Sequence, residues 1–319
     1  MTGGVAEAAT AWADAIIPRI ECSCEAAWLE HRAKGIGASD AAVVYGENPY
    51  KSVLQLYCEK AGISAADDLS GVEAVEWGHR LQRPVADKYV QETGREIADI
   101  GAWTIVVHPE RAWQRATLDY VIAPCDGHDG PGVLEVKTCG ARHAEEWEEG
   151  VPRTYWIQVQ HQLAVTGLSW GSLAVLIGGQ AFRWMDVERD EAFIQSLTET
   201  EAAFMESVRQ QIPPPPDGSA SARAALASMY PEDSGESVAL PGVAIDWDNE
   251  LDPLKDQIKA LEARKAELEN LIKGAIGDAT TGVLPNGVSY TFKAQTRAEH
   301  IVKESTFRVL RRKAAKKEW

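Results

Sequence analysis

The chain has 319 residues, 45% of them hydrophobic, and a formal net charge of −16 from 48 Asp and Glu against 32 Lys and Arg. That length holds one large domain or two ordinary ones with a real core, and the charge excludes a protein that coats nucleic acid through a general basic surface, though not one with a local basic groove. No apolar run is long enough for a transmembrane helix, and five irregularly spaced cysteines make no disulfide framework.

The opening segment "MTGGVAEAATAWADAIIPRI" lacks the basic start and apolar run of a secretory signal, so a cytoplasmic location is expected. Residues 26–61 read as helix, turn, helix. "GIGASDAAVVYG" sets Ser39 and Asp40 at capping positions, "NPY" is a turn, and "KSVLQLYCEKAG" stops at Gly62. In "VEWGHRLQRPVADKYVQETG", Leu81, Val85 and Tyr89 share one helical face, Gly94 closes the helix, and Pro84 marks a first turn or a kink. Residues 97–138 are β-rich: "IGAWTIVVH", "WQRATLDYVIA" and "GVLEVKT" read as three strands separated by turn clusters. A helix in "VPRTYWIQVQHQLAVTG", a hairpin of "WGSLAVLIGG" and "QAFRWMDVE", and a helix over "RDEAFIQSLTETEAAFMESVRQQ" follow. This order predicts an α/β or α+β fold with a central mixed sheet flanked by helices.

Beyond it, "PPPPDGSASA" reads as a linker or surface strap. Leu251, Leu254, Ile258, Leu261, Leu268, Ile272 and Ala275 then recur three and four apart, with one gap at Lys265. A short coiled coil or a helix packed on its own domain or a neighbouring subunit both produce such a stripe, and we read it as the packed helix. "PNGVSYTFKAQ" reads as a small hairpin. Residues 293–319 carry nine Lys and Arg against three Glu; a phosphate-tracking tail and a solvated terminal helix fit equally. The expected organisation is a main domain over 1–212, a Pro-rich linker and strap over 213–249, and a helix, hairpin and basic tail over 250–319.

The chemistry concentrates in "GVLEVKTCG", residues 132–140. Val133, Leu134 and Val136 read as a buried strand, yet Glu135 and Lys137 lie two apart and therefore on one face. Buried charges need partners or ions. Asp119 precedes a Gly-, Asp- and Pro-rich turn, so its strand pairs antiparallel with this one and sets Asp119 opposite Glu135. Two facing carboxylates suit a hard cation such as Mg²⁺ or Mn²⁺, with Lys137 placed to hold an attacking water near a phosphate. An exposed edge strand carrying a Glu–Lys pair is the alternative reading of the spacing alone.

Four ordered segments resolve that choice: "WLEHRAKGIGASDAAVVYGENPYKSVLQLYCEKAG", "WGHRLQRPVADKYVQETG", "ATLDYVI" with "GVLEVKT", and "YWIQVQHQLAVTG" followed by "LIGGQAFRWMDVERDE". Together, over about residues 26–210, they resemble the PD-(D/E)xK nuclease superfamily and within it the lambda-type phage exonucleases and YqaJ-like viral recombinases. The resemblance implies a PD-(D/E)xK core and a Mg²⁺-dependent exodeoxyribonuclease, with Mn²⁺ also effective. Such an enzyme resects linear double-stranded DNA from its 5′ end and leaves 3′ overhangs for a single-strand annealing partner in phage or prophage recombination. It implies Asp119, Glu135 and the Val136 backbone carbonyl as metal ligands, and Lys137 as the catalytic lysine. Arg32 and Ser39 would bind the 5′ phosphate, and Gln158 and Gln160 would position DNA or metal-bound water. A ring-shaped homo-oligomer, a trimer by resemblance, acting in the bacterial host cytoplasm is implied as well.

One position departs from the pattern. Where relatives carry a Glu four residues after a helical Gly, this chain has Gln82 after Gly78. A neutral amide reaches a metal through water and adds no charge, which weakens a second metal; Glu76 lies roughly 120° around the helix and is a poor substitute. The cysteines lack a C-x₂-C element, so no iron–sulfur cluster is expected. His161 reads as structural, and Trp28 is a candidate for stacking on a DNA end. An endonuclease with the same core, or a DNA-binding recombination scaffold weakened at Gln82, are the alternatives.

Overall fold

The computed structural model describes residues 19–66, 68–298, 304 and 308–312, and the chain divides into two units, Met1–Pro231 and Glu232–Trp319. The first unit begins with β1 (Arg19–Glu21), α1 (Glu25–Ala33), α2 (Ala38–Val44), α3 (Val53–Lys60) and α4 (Glu73–Thr93). Then follow β2 (Ile97–Ala98), β3 (Thr104–Val107), β4 (Arg115–Ala116), β5 (Tyr120–Ile122), β6 (Gly132–Cys139), α5 (Arg153–Thr166), β7 (Trp170–Ile177), β8 (Ala181–Glu188), α6 (Glu191–Gln210) and α7 (Ala220–Met229).

A five-stranded sheet in the order β2-β5-β6-β7-β8 is the centre of this unit. Only β6 and β7 run parallel, joined across α5; the other pairs are antiparallel, so the sheet is mixed, as expected. The period-two alternation of β6 separates two cores. Val133 packs with Val159 and Leu163 of α5, whereas Leu134 and Val136 pack with Val85, Ala86 and Tyr89 of α4. Glu135 and Lys137 share the parity of Val133 and so face α5. Gly132 is needed here because a Cβ would lie 2.6 Å from the Trp170 ring, which crosses the strand at that point.

The run "WQRATLDYVIA" is not one strand. Its first part, β4, belongs to a smaller sheet in the order β1-β3-β4, and its second part, β5, to the large one. The break falls at Thr117–Asp119, where the chain changes sheets. The β5–β6 pairing stops at Tyr120↔Leu134, so Asp119 lies one step beyond the ladder, level with Glu135. The small sheet also anchors the N-terminal block through the Ile36↔Gln114 bridge. Gly35 permits that approach, since a Cβ there would come within 2.2 Å of the Trp113 carbonyl oxygen.

Three local expectations change. Pro84 lies in the interior of a 21-residue helix rather than its first turn. Gly37 is the N-cap of α2, and Ser39 and Asp40 lie within that helix. The segment expected as linker, 213–249, contains α7: Ser219 caps it by accepting the Ala222 N–H at 3.0 Å, and Ala222 and Ala225 are buried. An alanine-rich stretch after a serine cap propagates as helix readily.

The second unit holds α8 (Ala244–Ile276), a 33-residue helix with Pro253 near its start, and a hairpin of β9 (Thr281–Val283) and β10 (Ser289–Thr291). Gly282 meets the Ile276 side chain, and Arg312 pairs with Asp248 at 2.7 Å. Most of the basic tail lies outside the described residues.

Candidate active site

Glu135 is 3% exposed. Its Oε1 accepts from Lys137 Nζ at 2.5 Å and from Gln158 Nε2 at 2.6 Å, and its Oε2 accepts from Gln162 Nε2 at 2.6 Å. Asp119 is held from two sides: Oδ1 accepts from Gln82 Nε2 at 2.7 Å and Oδ2 from the Val136 N–H at 2.8 Å. In an extended strand one residue's N–H and C=O point toward the same neighbour, so the Val136 carbonyl also faces the gap that Asp119 closes. Five N–H donors, from β6, α4 and α5, therefore fix two carboxylates at the end of the β5–β6 ladder.

The charges are not balanced. Burial pushes the Asp119 carboxyl up to about 8, the negative charge of Glu135 pushes it in the same direction, and Lys137 and the Val136 N–H offset only part of this. For Lys137 burial opposes the charged form, but the two carboxylates outweigh it and raise its pKa. Its amine also lies 5.1 Å from the Tyr155 ring centroid. Two carboxylates share one ammonium here, so the cluster carries an unmatched negative charge. Gln162 Oε1 is buried here without a hydrogen-bond partner, so a hard oxygen next to Glu135 is uncommitted. Among the described residues no group of three or more His, Cys, Asp or Glu converges; the donor set is two carboxylates, a backbone carbonyl and glutamine oxygens. Oxygen donors with an unmatched negative charge fit Mg²⁺ or Mn²⁺ rather than a thiolate- or imidazole-binding metal.

The N-terminal block presents a second patch. Arg32 on α1 donates from Nη2 to Ser39 Oγ, and its guanidinium lies 5.1 Å from the Trp28 ring centroid. Asp40 is paired with Lys60 at 2.8 Å; burial alone would raise its carboxyl pKa, but Lys60 and Arg32 hold it low. Trp28 does not project freely: its Nε1 donates to Thr117 Oγ1 at 3.0 Å, two residues before Asp119. Its ring is a platform beside Arg32.

Gln160 is a correction. It is fully buried, donates to the Glu188 carbonyl at 2.7 Å and accepts the Asp190 N–H at 2.9 Å, so it pins the β8–α6 turn and makes no contact with the carboxylates. Gln162 is the residue that sequence reasoning missed. The signal was present: residues four apart share a helical face and residues two apart do not, so Gln158 implies Gln162 rather than Gln160. His161 is buried between Glu201 Oε1 at 2.6 Å and the Arg115 carbonyl at 2.9 Å. Burial disfavours its imidazolium, yet Glu201 more than compensates and raises its pKa.

A second polar cluster lies on the opposite face of the sheet. Arg95 makes a bidentate pair with Asp186 at 2.7 and 2.8 Å, also donates to Tyr89 Oη at 2.8 Å, and lies between Trp170 and Trp184 at 5.0 and 5.1 Å. Burial would raise the Asp186 carboxyl, but hydrogen bonds from Arg95 and Ser172 lower it.

A mixed sheet with a parallel central pair, carrying an Asp–Glu–Lys cluster where an antiparallel ladder ends, is the frame in which comparison with known proteins becomes informative. The YqaJ-like viral recombinase domain family matches residues 27–169, which include Arg32, Gln82, Asp119, Glu135, Lys137 and both site glutamines. The uncharacterized protein YqaJ of Bacillus subtilis (strain 168) is 33% identical over 264 residues, covering 81% of this chain and 80% of that protein. The chain belongs to the YqaJ-like viral recombinase family. Among solved structures, the alkaline exonuclease LHK-Exo of Laribacter hongkongensis is 22% identical, covers 58% of this chain and 93% of its own, and superposes with a TM-score of 0.46. A phage-related exonuclease from Haemophilus somnus 129PT is 13% identical, covers 56% and 95%, and has a TM-score of 0.41.

Proposed function

We propose that this chain is a metal-dependent deoxyribonuclease that degrades one strand of linear double-stranded DNA from its 5′ end, leaving 3′ overhangs for a single-strand annealing partner in phage or prophage recombination. The observation that carries the chemistry is the carboxylate pair fixed by five N–H donors yet short of positive charge. Asp119, Glu135 and the Val136 carbonyl would hold Mg²⁺ or Mn²⁺. When bound, such an ion polarises the scissile phosphate and acidifies water.

The remaining work falls to the protein. Lys137 keeps its proton between the two acids and presents an ammonium to the water and to the phosphate oxygens. Gln158 and Gln162 lock both oxygens of Glu135, and Gln82 and the Val136 N–H lock Asp119, so little reorganisation accompanies the reaction. Arg32, oriented by Ser39 and Trp28, offers a planar fork suited to a terminal 5′ phosphate. The net charge of −16 restricts DNA contact to such local donors. A homo-oligomer in the bacterial cytoplasm completes the reading.

The test is incubation with 5′-labelled linear duplex and with closed circular duplex, each with and without Mg²⁺. Mg²⁺-dependent release of labelled mononucleotide from the linear substrate alone is the expected result. Nicking of the circle would make the enzyme an endonuclease, and no cleavage of either would leave a DNA-binding scaffold.

A further inference from the structure

Helix α8 lies beyond the segment matched to the family domain, and no chemistry described above uses it. Among the described residues of the second unit nothing covers its apolar stripe: Leu254 is 43% exposed, Ile258 54%, Leu261 69% and Leu268 44%. An amphipathic helix of about 50 Å with such a stripe is incomplete alone, and what covers it is written in the residues beside the stripe.

In heptad positions, Leu251, Ile258, Lys265 and Ile272 take a, and Leu254, Leu261, Leu268 and Ala275 take d. Branched residues at a with leucine at d favour two parallel strands, because the a side chain then packs alongside its partner without a rotamer penalty. A single polar residue at a costs stability but admits only the register that lets its head reach solvent, and Lys265 is that residue. The flanking g and e positions agree. In a parallel, in-register pair each g residue meets the e residue five positions on in the partner. This sets Glu250 against Lys255 and Arg264 against Glu269, both opposite in sign, Gln257 against Glu262, and Leu271 against Ile276. No like-charged pair arises. An antiparallel pair that centres on Lys265 and Leu261 sets Arg264 against itself and Glu262 against itself.

We propose that α8 is a self-recognition element: two copies of this chain pair through α8 as a parallel, in-register coiled coil. The pairing is separate from the carboxylate site and joins chains two at a time, whatever contacts the first unit makes.

The experiment uses the full chain. Light scattering after size-exclusion chromatography should give a particle whose mass falls by half in the Leu261→Asp, Leu268→Asp double variant. Direction is read by disulfide trapping. Leu254→Cys and Leu268→Cys should each give a species of twice the chain mass on non-reducing gels, above the background of the parent with its native cysteines. An antiparallel pair brings at most one of these positions to its own copy. Arg264→Glu should weaken self-association, and adding Glu269→Arg should restore it, because the swap rebuilds the g–e pair. An unchanged mass in the double variant overturns the proposal and assigns the stripe to the chain's own first unit or another protein. Trapping at one cysteine position but not the other overturns the parallel register.

Discussion

Two charge clusters lie on the same five-stranded sheet, one on each face. Around Arg95 every charge meets its counterpart: a bidentate pair with Asp186, hydroxyls from Tyr89 and Ser172, and the Trp170 and Trp184 rings at 5.0 and 5.1 Å. Its carboxylate is held low. Around Asp119 and Glu135 the donors are as numerous, but four of the five are neutral N–H groups and only Lys137 is charged, and the Asp119 carboxyl is driven up to about 8. Both clusters are well hydrogen-bonded, so hydrogen bonding does not tell a strut from a site. The charge balance does: a strut is neutral as built, and a site that binds a cation is left short of one.

The largest expected effect breaks the comparison on the site side. Asp119→Ala or Glu135→Ala should reduce Mg²⁺-dependent cleavage to below about a thousandth of the parent, while thermal unfolding shows a protein no less stable. Retained activity in either variant removes the assignment. On the strut side, Asp186→Asn should do the reverse. It leaves a half-buried guanidinium without its carboxylate partner and costs about 1 kcal/mol, read as a lower urea midpoint, with turnover per folded molecule unchanged. A loss of turnover without a loss of stability would mean that the Arg95 cluster takes part in chemistry.

Arg32 sharpens the distinction between cleavage and end recognition. Arg32→Ala should slow 5′-phosphorylated duplex by about tenfold more than 5′-hydroxyl duplex, the worth of one charged hydrogen bond. Equal slowing reduces Arg32 to an internal brace for Ser39. Gln82→Glu adds a carboxylate to the cluster's oxygen donors and should lower the Mg²⁺ concentration at half-maximal rate by several-fold; identical titration midpoints would show that this position does not tune the metal.

The smallest effect concerns His161 and Glu201, which belong with the struts. The folded imidazole keeps its proton above the unfolded range. The pair's contribution is therefore complete below about pH 6.5 and is lost as pH rises through the raised value. The parent's Tm should fall over that interval, and the fall should disappear in His161→Gln. A Tm that rises with pH would contradict the charged pair.

How far the site was legible follows from the reach of each periodicity. Strand alternation put Glu135 and Lys137 on one face, and a turn-rich spacer set Asp119 opposite. Helical periodicity turned Gln82 inward, since Leu81, Val85 and Tyr89 occupy the adjoining stripe. Gln162 followed from the same rule and was overlooked in favour of Gln160, whose partners lie 28 and 30 residues away in sequence. No local pattern announces a hydrogen bond to a distant turn.

The sequence by itself therefore determined most of the helices and strands of the first unit, the mixed sheet and the pair of acids beside a lysine, because period two and period 3.6 are properties of the local backbone. Only the tertiary structure decided three things. One is that the chain changes sheets at Thr117–Asp119, which frees Asp119 from the ladder. Another is that the alanine-rich segment after the proline run folds as α7 onto α3 instead of serving as a strap. The last is which buried charges are balanced. Charge balance is a sum over partners brought from β6, α4 and α5 at once; it exists only after those elements have packed, and no reading of one segment at a time contains it.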